Sequence, residues 1–166
     1  MHALRAAGLA AKFELPEKLH VTLAFLGSVD ASRVEPLSAA LQLAIAEIRP
    51  FSARFETIGG FPSERRARIA WAGSRRAGES FGRLAETVRS AAREFAGLDE
   101  KPPVLHVTLA RMRDPMQLPR IHFTPCTLRV DAIVLYESLP GEGTSRYEVL
   151  QRFPLTVHAS SPDASR

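Results

Sequence analysis

Cysteine and lysine are scarce in this chain, and long apolar runs are absent. One of its 166 residues is a cysteine, Cys126; an internal disulfide is excluded, and the reducing cytoplasm is the expected compartment. No apolar run approaches the roughly 20 residues that a membrane-spanning helix needs. The opening "MHALRAAGLAAKF" is interrupted by Arg5 and is not read as a secretory leader, so no membrane association is expected. Neither a Gly-rich phosphate loop nor a His-Glu-x-x-His helix occurs, which removes the P-loop nucleotide hydrolases and that zinc-hydrolase pattern. The only lysines are Lys12, Lys18 and Lys101, yet the net charge is +4 and the pI about 9.8. The basic residues are therefore mostly arginines, whose planar fork suits phosphate oxygens, although a solvated arginine-rich surface is the better explanation of any one of them.

What remains is ordinary for a globular protein, with 45% hydrophobic and 24% charged residues. One domain over residues 1–158 is expected, with a disordered tail at 159–166. Residues 3–13 read as the end of a helix and "KLHVTLAFLG" as a strand ending at Gly27. Val34, Leu37, Leu41, Ile45 and Ile48 recur at helical spacing, with Asp30 and Ser32 as capping candidates, a start near Pro36 and Pro50 as the stop. "FSARF" alternates as a half-buried strand, "ARIAWAG" supplies another, and Glu79 to Phe95 forms an amphipathic helix. A strand from Val104 to Arg111, the strand "TLRVDAIVLYES", a glycine-rich turn and a last strand complete the chain. This order is roughly duplicated, which predicts an α+β architecture with two similar lobes.

The six letters "LHVTLA" occur twice, at Leu19–Ala24 and at Leu105–Ala110. Alternate side chains of a strand share a face. His20 and Thr22 then point one way, and His106 and Thr108 repeat the arrangement, while Val21, Leu23, Phe25, Val107 and Leu109 turn to the core. Side chains two apart lie about 6.6 Å apart along a strand, so an imidazole and a hydroxyl reach one small anion together. A lone histidine on an apolar strand is usually structural. Duplicated packing, however, would preserve only the apolar face; here the His and Thr are repeated as well.

Two such motifs facing each other suit the opening of a cyclic phosphodiester. One imidazole takes a proton from attacking water and the other protonates the departing ribose oxygen, because histidine serves as acid or base near neutrality. The threonine hydroxyls donate to the non-bridging oxygens as charge develops. The scheme calls for no metal and no cofactor. Cys126 in an apolar strand reads as core. His2, His122 and His158 stand outside any motif, and Trp71 and Tyr136 fit either a nucleobase or the interior.

On "LHVTLAFLG" and "LHVTLAR", and through "GGFPSERRARIAWAG" and "VLYESLPGEGTSRYEVLQRFPL", the chain resembles the two-histidine phosphoesterases, specifically the RNA 2′,3′-cyclic phosphodiesterases once named 2′-5′ RNA ligases. The resemblance implies a bilobal pseudo-two-fold fold, two antiparallel sheets lining a cleft with helices outside. It implies His20 and His106 as the acid–base pair, Thr22 and Thr108 as phosphate ligands, and Arg111 as a phosphate-holding arginine. The implied substrates are RNA ends or small cyclic nucleotides, acted on by a monomer with no protein partner. Three departures stand out. Family members open with an apolar strand and a full helix, and with 19 residues before His20 that strand is expected to be missing here. Leu105 stands where relatives often have proline. Arg111 has the opposite strand parity to Thr108, so it joins the site only if the strand ends or bulges there. A non-catalytic RNA or nucleotide-phosphate binder, and reversible 2′-5′ ligation by the same residues, are the competing readings. Specificity is expected from loops at Pro62–Arg68 and Met112–Arg120.

Overall fold

A computed structural model describes residues 1–76, 78–98, 103–140 and 146–156. The expected tail and most of the glycine-rich turn lie outside them. Helices α1 (His2–Ala6), α2 (Ala31–Ala44) and α3 (Glu79–Ala92) accompany strands β1 (Lys12–Phe13), β2 (Phe51–Phe55), β3 (Thr57–Phe61), β4 (Ala67–Gly73), β5 (His106–Met116), β6 (Cys126–Val130), β7 (Ala132–Leu139) and β8 (Arg146–Pro154). All described pairings are antiparallel: a four-stranded sheet in the order β1-β5-β4-β3 and two-stranded sheets β2-β6 and β7-β8. The architecture is α+β, as expected, but the described strands form three sheets rather than two.

Two cores underlie the two lobes. In one, Leu4 and Leu9 from the N-terminal segment pack with Ala70, Ala72, Leu109, Ala110 and Met112 on one face of the four-stranded sheet. In the other, Leu37, Leu41 and Ile45 from α2, and Leu84, Val88 and Ala92 from α3, cover Ile133, Leu135 and the fully buried Phe153. A third cluster of Ala53, Phe55, Phe81, Ala85 and Leu105, with Val21 and Val107 against it, forms the seam. In α3 the buried Phe81, Leu84, Ala85, Val88 and Ala92 follow the helical period. Truncation of a residue enclosed like Phe153 costs about 3–5 kcal/mol.

Several sequence expectations need correction. The helix near residues 3–13 is only five residues long, and Lys12–Phe13 is already a strand. Helix α2 starts at Ala31, with Asp30 at its N-cap position, so Pro36 lies inside it, and the regular helix ends at Ala44, well before Pro50. The missing Pro36 N–H leaves the Ser32 carbonyl without its helical partner, a cost that burial of Leu37 and Leu41 outweighs. "TLRVDAIVLYES" is two strands in different sheets, since Asp131 breaks the run between β6 and β7. Cys126 is exposed rather than core, because β6 is an edge strand whose residues mostly face solvent. Strand β5 continues to Met116, which leaves a shorter loop after the second motif than the sequence suggested.

The largest correction concerns the first motif. "KLHVTLAFLG" forms no regular strand; a single antiparallel bridge, Val21↔Val107, ties it to β5. Strand β1 pairs with the same β5 edge at Lys12↔Arg111 and Phe13↔Ala110, and the Glu14 N–H donates to the Leu109 carbonyl. The chain then leaves that edge through the one-turn helix Pro16–Lys18 and returns at Val21. Strand β5 begins at His106, opposite Thr22 in this register. Beyond Thr22 there is no partner strand among the described residues, so the segment bends at Leu23.

Candidate active site

The register of the Val21↔Val107 bridge sets His20 opposite Thr108 and Thr22 opposite His106. Directly opposed residues of an antiparallel pair have Cβ atoms about 4.5–5.5 Å apart, and diagonal ones about 7–8 Å. Each histidine therefore stands beside the other motif's threonine, with the two imidazoles on the diagonal. Val21 and Val107 pack into the seam, so the four polar side chains take the other face. His20, His106 and Thr108 are half-buried and Thr22 is exposed.

Both imidazoles are fixed in the same way. His20 Nδ1 lies 2.7 Å from the Lys18 carbonyl and His106 Nδ1 lies 2.9 Å from the Val104 carbonyl, each two residues back in the chain. A carbonyl only accepts, so this contact selects the tautomer with the proton on Nδ1. Nε2 is then the nitrogen that each ring can offer to a ligand, an acceptor when neutral and a donor when protonated.

Arg111 meets the condition the sequence imposed on it. In the β4–β5 ladder Ala72 pairs with Val107, Trp71 with Thr108, Ala70 with Ala110 and Ile69 with Arg111, so Leu109 is an extra residue. This bulge resets the alternation. Cross-strand partners share a face, which puts Arg111, beside Ile69, on the same side as Thr108, beside Trp71, and His106, beside Gly73. Leu109 and Ala110 are consequently both buried. The adjacent apolar residues Leu109 and Ala110, with Met112 two residues further on, were the one sequence signal of the bulge.

Glu14 escaped the sequence reading. Its carboxylate, 13% exposed, accepts from Arg111 Nε at 2.8 Å, while the arginine side chain is 51% exposed. Lys12 pairs directly with Arg111 and so shares its face. The N-terminal segment thus brings charge to the second motif, and no local motif around Glu14 announces it.

Each histidine also has its own pair of aromatic rings. Phe61 and Trp71, diagonal neighbours on β3 and β4, lie with ring centroids 5.1 and 6.2 Å from His106. Tyr147 and Tyr136, diagonal neighbours on β8 and β7, lie 4.9 and 6.3 Å from His20. Trp71 is buried and Tyr136 is not, which divides the two aromatic candidates from the sequence. A Cβ at Gly59 would stand 2.2 Å from the Trp71 ring, so only glycine admits the indole there. A Cβ at Gly73 would stand 2.1 Å from the Leu105 carbonyl, so glycine also lets β4 press against the entry to the second motif.

His2 and His122 are exposed and take no part in the contacts above, and His158 lies outside the described residues. Among the described residues no three His, Cys, Asp or Glu side chains gather as a metal-holding group. No described helix is long and apolar enough to cross a membrane.

The family described as LigT like Phosphoesterase matches residues 2–71. A curated RNA 2′,3′-cyclic phosphodiesterase of Escherichia coli is 33% identical, over 84% of this chain and 77% of its own length. That of Thermus thermophilus is 33% identical over 84% and 73%, and that of Geobacillus stearothermophilus 32% identical over 84% and 46%. The chain spans about half the length of some of these relatives, 46% of the Geobacillus protein and 54% of the Archaeoglobus fulgidus one. The crystal structure of E. coli LigT complexed with 3′-AMP superposes with a TM-score of 0.73 at 29% identity, covering 89% of this chain and 83% of that one. With a shared fold and one-third identity across most of the E. coli protein, the chain belongs to the LigT-like, two-histidine phosphoesterase family.

Proposed function

We propose that this chain hydrolyses the 2′,3′-cyclic phosphate at an RNA end, or on a small cyclic nucleotide, to a 2′-phosphate, with both proton transfers carried by His20 and His106. The observation that carries the reading is the matched pair of histidines, each pinned at Nδ1 by a carbonyl two residues back and each set beside the other motif's threonine. Relatives named RNA 2′,3′-cyclic phosphodiesterase support the choice of substrate.

In this scheme His106 Nε2 takes a proton from water as the water oxygen attacks phosphorus. The bond from phosphorus to the 3′ oxygen breaks in line, and His20 Nε2–H protonates that oxygen. The products are a 2′-phosphomonoester and a free 3′ hydroxyl, and proton exchange with solvent resets the two rings. Thr22 and Thr108 donate to the non-bridging oxygens, and the terminal nitrogens of Arg111 supply charge-assisted bonds from the same face. The protein acts as a cytoplasmic monomer and requires neither metal nor cofactor.

The test is a short RNA ending in a 2′,3′-cyclic phosphate, incubated in EDTA and followed by phosphorus NMR. A 2′-phosphate product that disappears with His20→Ala and with His106→Ala is expected. Wild-type turnover by both variants would refute the assignment of the pair. Saturable, salt-sensitive binding without turnover would make the protein a binder instead.

A further inference from the structure

Two aromatic pairs flank the motifs, and only one of them is open. Trp71 is 6% exposed and its partner Phe61 is half-buried against it, so this pair closes the His106 side. On the His20 side, Tyr136 is 41% and Tyr147 36% exposed. Their rings lie 6.0 Å apart at 63°, and Tyr147 sets its ring edge-to-face against His20. Val149, directly opposite Tyr136 and 62% exposed, extends the same apolar patch.

The hairpin is built to present this patch. Ile133 and Leu135 of β7 point into the helix-covered core, so Tyr136, with the other parity, turns to the opposite face. Register then puts Val149 opposite Tyr136 and Tyr147 opposite Ser138, on that same face. A bulge at Leu150 shifts the ladder between Leu135 and Tyr136, much as the bulge at Leu109 does beside the second motif. Two exposed tyrosines and a valine on a free sheet face have no structural need to be apolar.

We infer that Tyr136 and Tyr147 form the stacking platform for the nucleobase of the nucleotide whose phosphate sits between the motifs. The inference rests on the functional reading above and names the part of the substrate it leaves unplaced. The platform touches His20, so it lies within one nucleoside of the phosphate site. Among the described residues, the closed Phe61–Trp71 pair leaves no comparable aromatic surface beside His106. An aromatic face accepts any base, since every base has a π face, so the platform selects for a nucleoside rather than for a sequence. A base held there brings its ribose, and the departing 3′ oxygen, to the His20 side, in keeping with His20 as the acid.

The experiment compares binding of adenosine 2′-phosphate and of inorganic phosphate, by calorimetry, with turnover of adenosine 2′,3′-cyclic phosphate and of the same cyclic phosphate on 1-O-methylribose. Tyr136→Leu and Tyr147→Leu should each weaken adenosine 2′-phosphate about tenfold while leaving inorganic phosphate unchanged, and Tyr→Phe at either position should stay within about twofold of wild type. Turnover of the base-free substrate should be insensitive to all four changes. Equal binding of nucleotide and phosphate by the wild type, or an equal loss on the base-free substrate in Tyr147→Leu, would overturn the platform, the latter by showing that the ring acts through His20. Base-dependent binding without turnover of either cyclic phosphate would instead refute the hydrolytic reading and leave the platform standing.

Discussion

The same six residues, "LHVTLA", fold in two ways. At Leu105–Ala110 they open β5, the strand paired on one side with β4 and on the other with β1 and Val21. At Leu19–Ala24 they hold to the protein through one bridge and bend after Thr22. Yet both histidines are fixed by the same contact to a carbonyl two residues back. The geometry that matters for an imidazole is therefore local, set by the extended backbone entering each motif, and does not require a complete ladder. What the ladder adds to the second copy is a bulge that turns one more charged residue, Arg111, to the face of His106 and Thr108. At the corresponding position of the first copy stands Phe25, 69% exposed rather than turned to the core as alternation predicts, because the segment leaves the strand path at the bend at Leu23.

The sharpest way to break this comparison is to remove the histidines one at a time and together. Each His→Ala variant should lower kcat by about 10²–10⁴-fold. The double variant should fall little below the worse single one, because an acid without its base, or the reverse, no longer works as a unit. A loss confined to His106→Ala would mean that the singly bridged motif does not take part, and that the matched Nδ1 contacts have no functional meaning.

A second contrast concerns stability. Gly73→Ala places a methyl 2.1 Å from the Leu105 carbonyl, a backbone atom that cannot swing aside. Separation of β4 from the start of β5 should cost about 3 kcal/mol in urea unfolding. Gly27→Ala meets nothing within 4 Å, and only its φ of +65° opposes a side chain, so about 1 kcal/mol is expected. Equal costs at the two sites would show that the first motif is held as firmly as the second.

Where the pattern was strong, the sequence was legible: β2 follows alternation and α3 the helical repeat, because each buries one face, and β4 reads as a short apolar run buried on both faces at its end. The histidine pair was legible as well, since its signal was repetition of polar residues on otherwise apolar segments. Hidden features were those that depend on another part of the chain. The strand expected at "KLHVTLAFLG" failed because β5 starts only at His106, a fact belonging to the partner. Pro36 within α2 reflects tertiary burial overriding a local penalty. The exposed Cys126 followed from an edge position that composition cannot reveal. Arg111 needed the bulge at Leu109, and Glu14 needed the approach of β1 to the far end of β5, two segments remote in sequence.

Glu14 gives the smallest effect and the finest test of the asymmetry. Its carboxylate accepts from Arg111 Nε, which leaves the two terminal nitrogens of the guanidinium for a bidentate grip on phosphate. If the carboxylate serves to aim that fork, Glu14→Ala should raise KM about fivefold with kcat nearly unchanged, and Glu14→Gln, which keeps an acceptor oxygen, should lie between it and wild type. Folding stability should move by less than about 1 kcal/mol, as is usual for an ion pair with one exposed member. A lower KM in Glu14→Ala would reverse the picture: the carboxylate would then be a competitor that phosphate must displace from Arg111. Either sign separates the halves of the site, because the first motif, with Phe25 in place of an arginine, has no such charge to aim or to release.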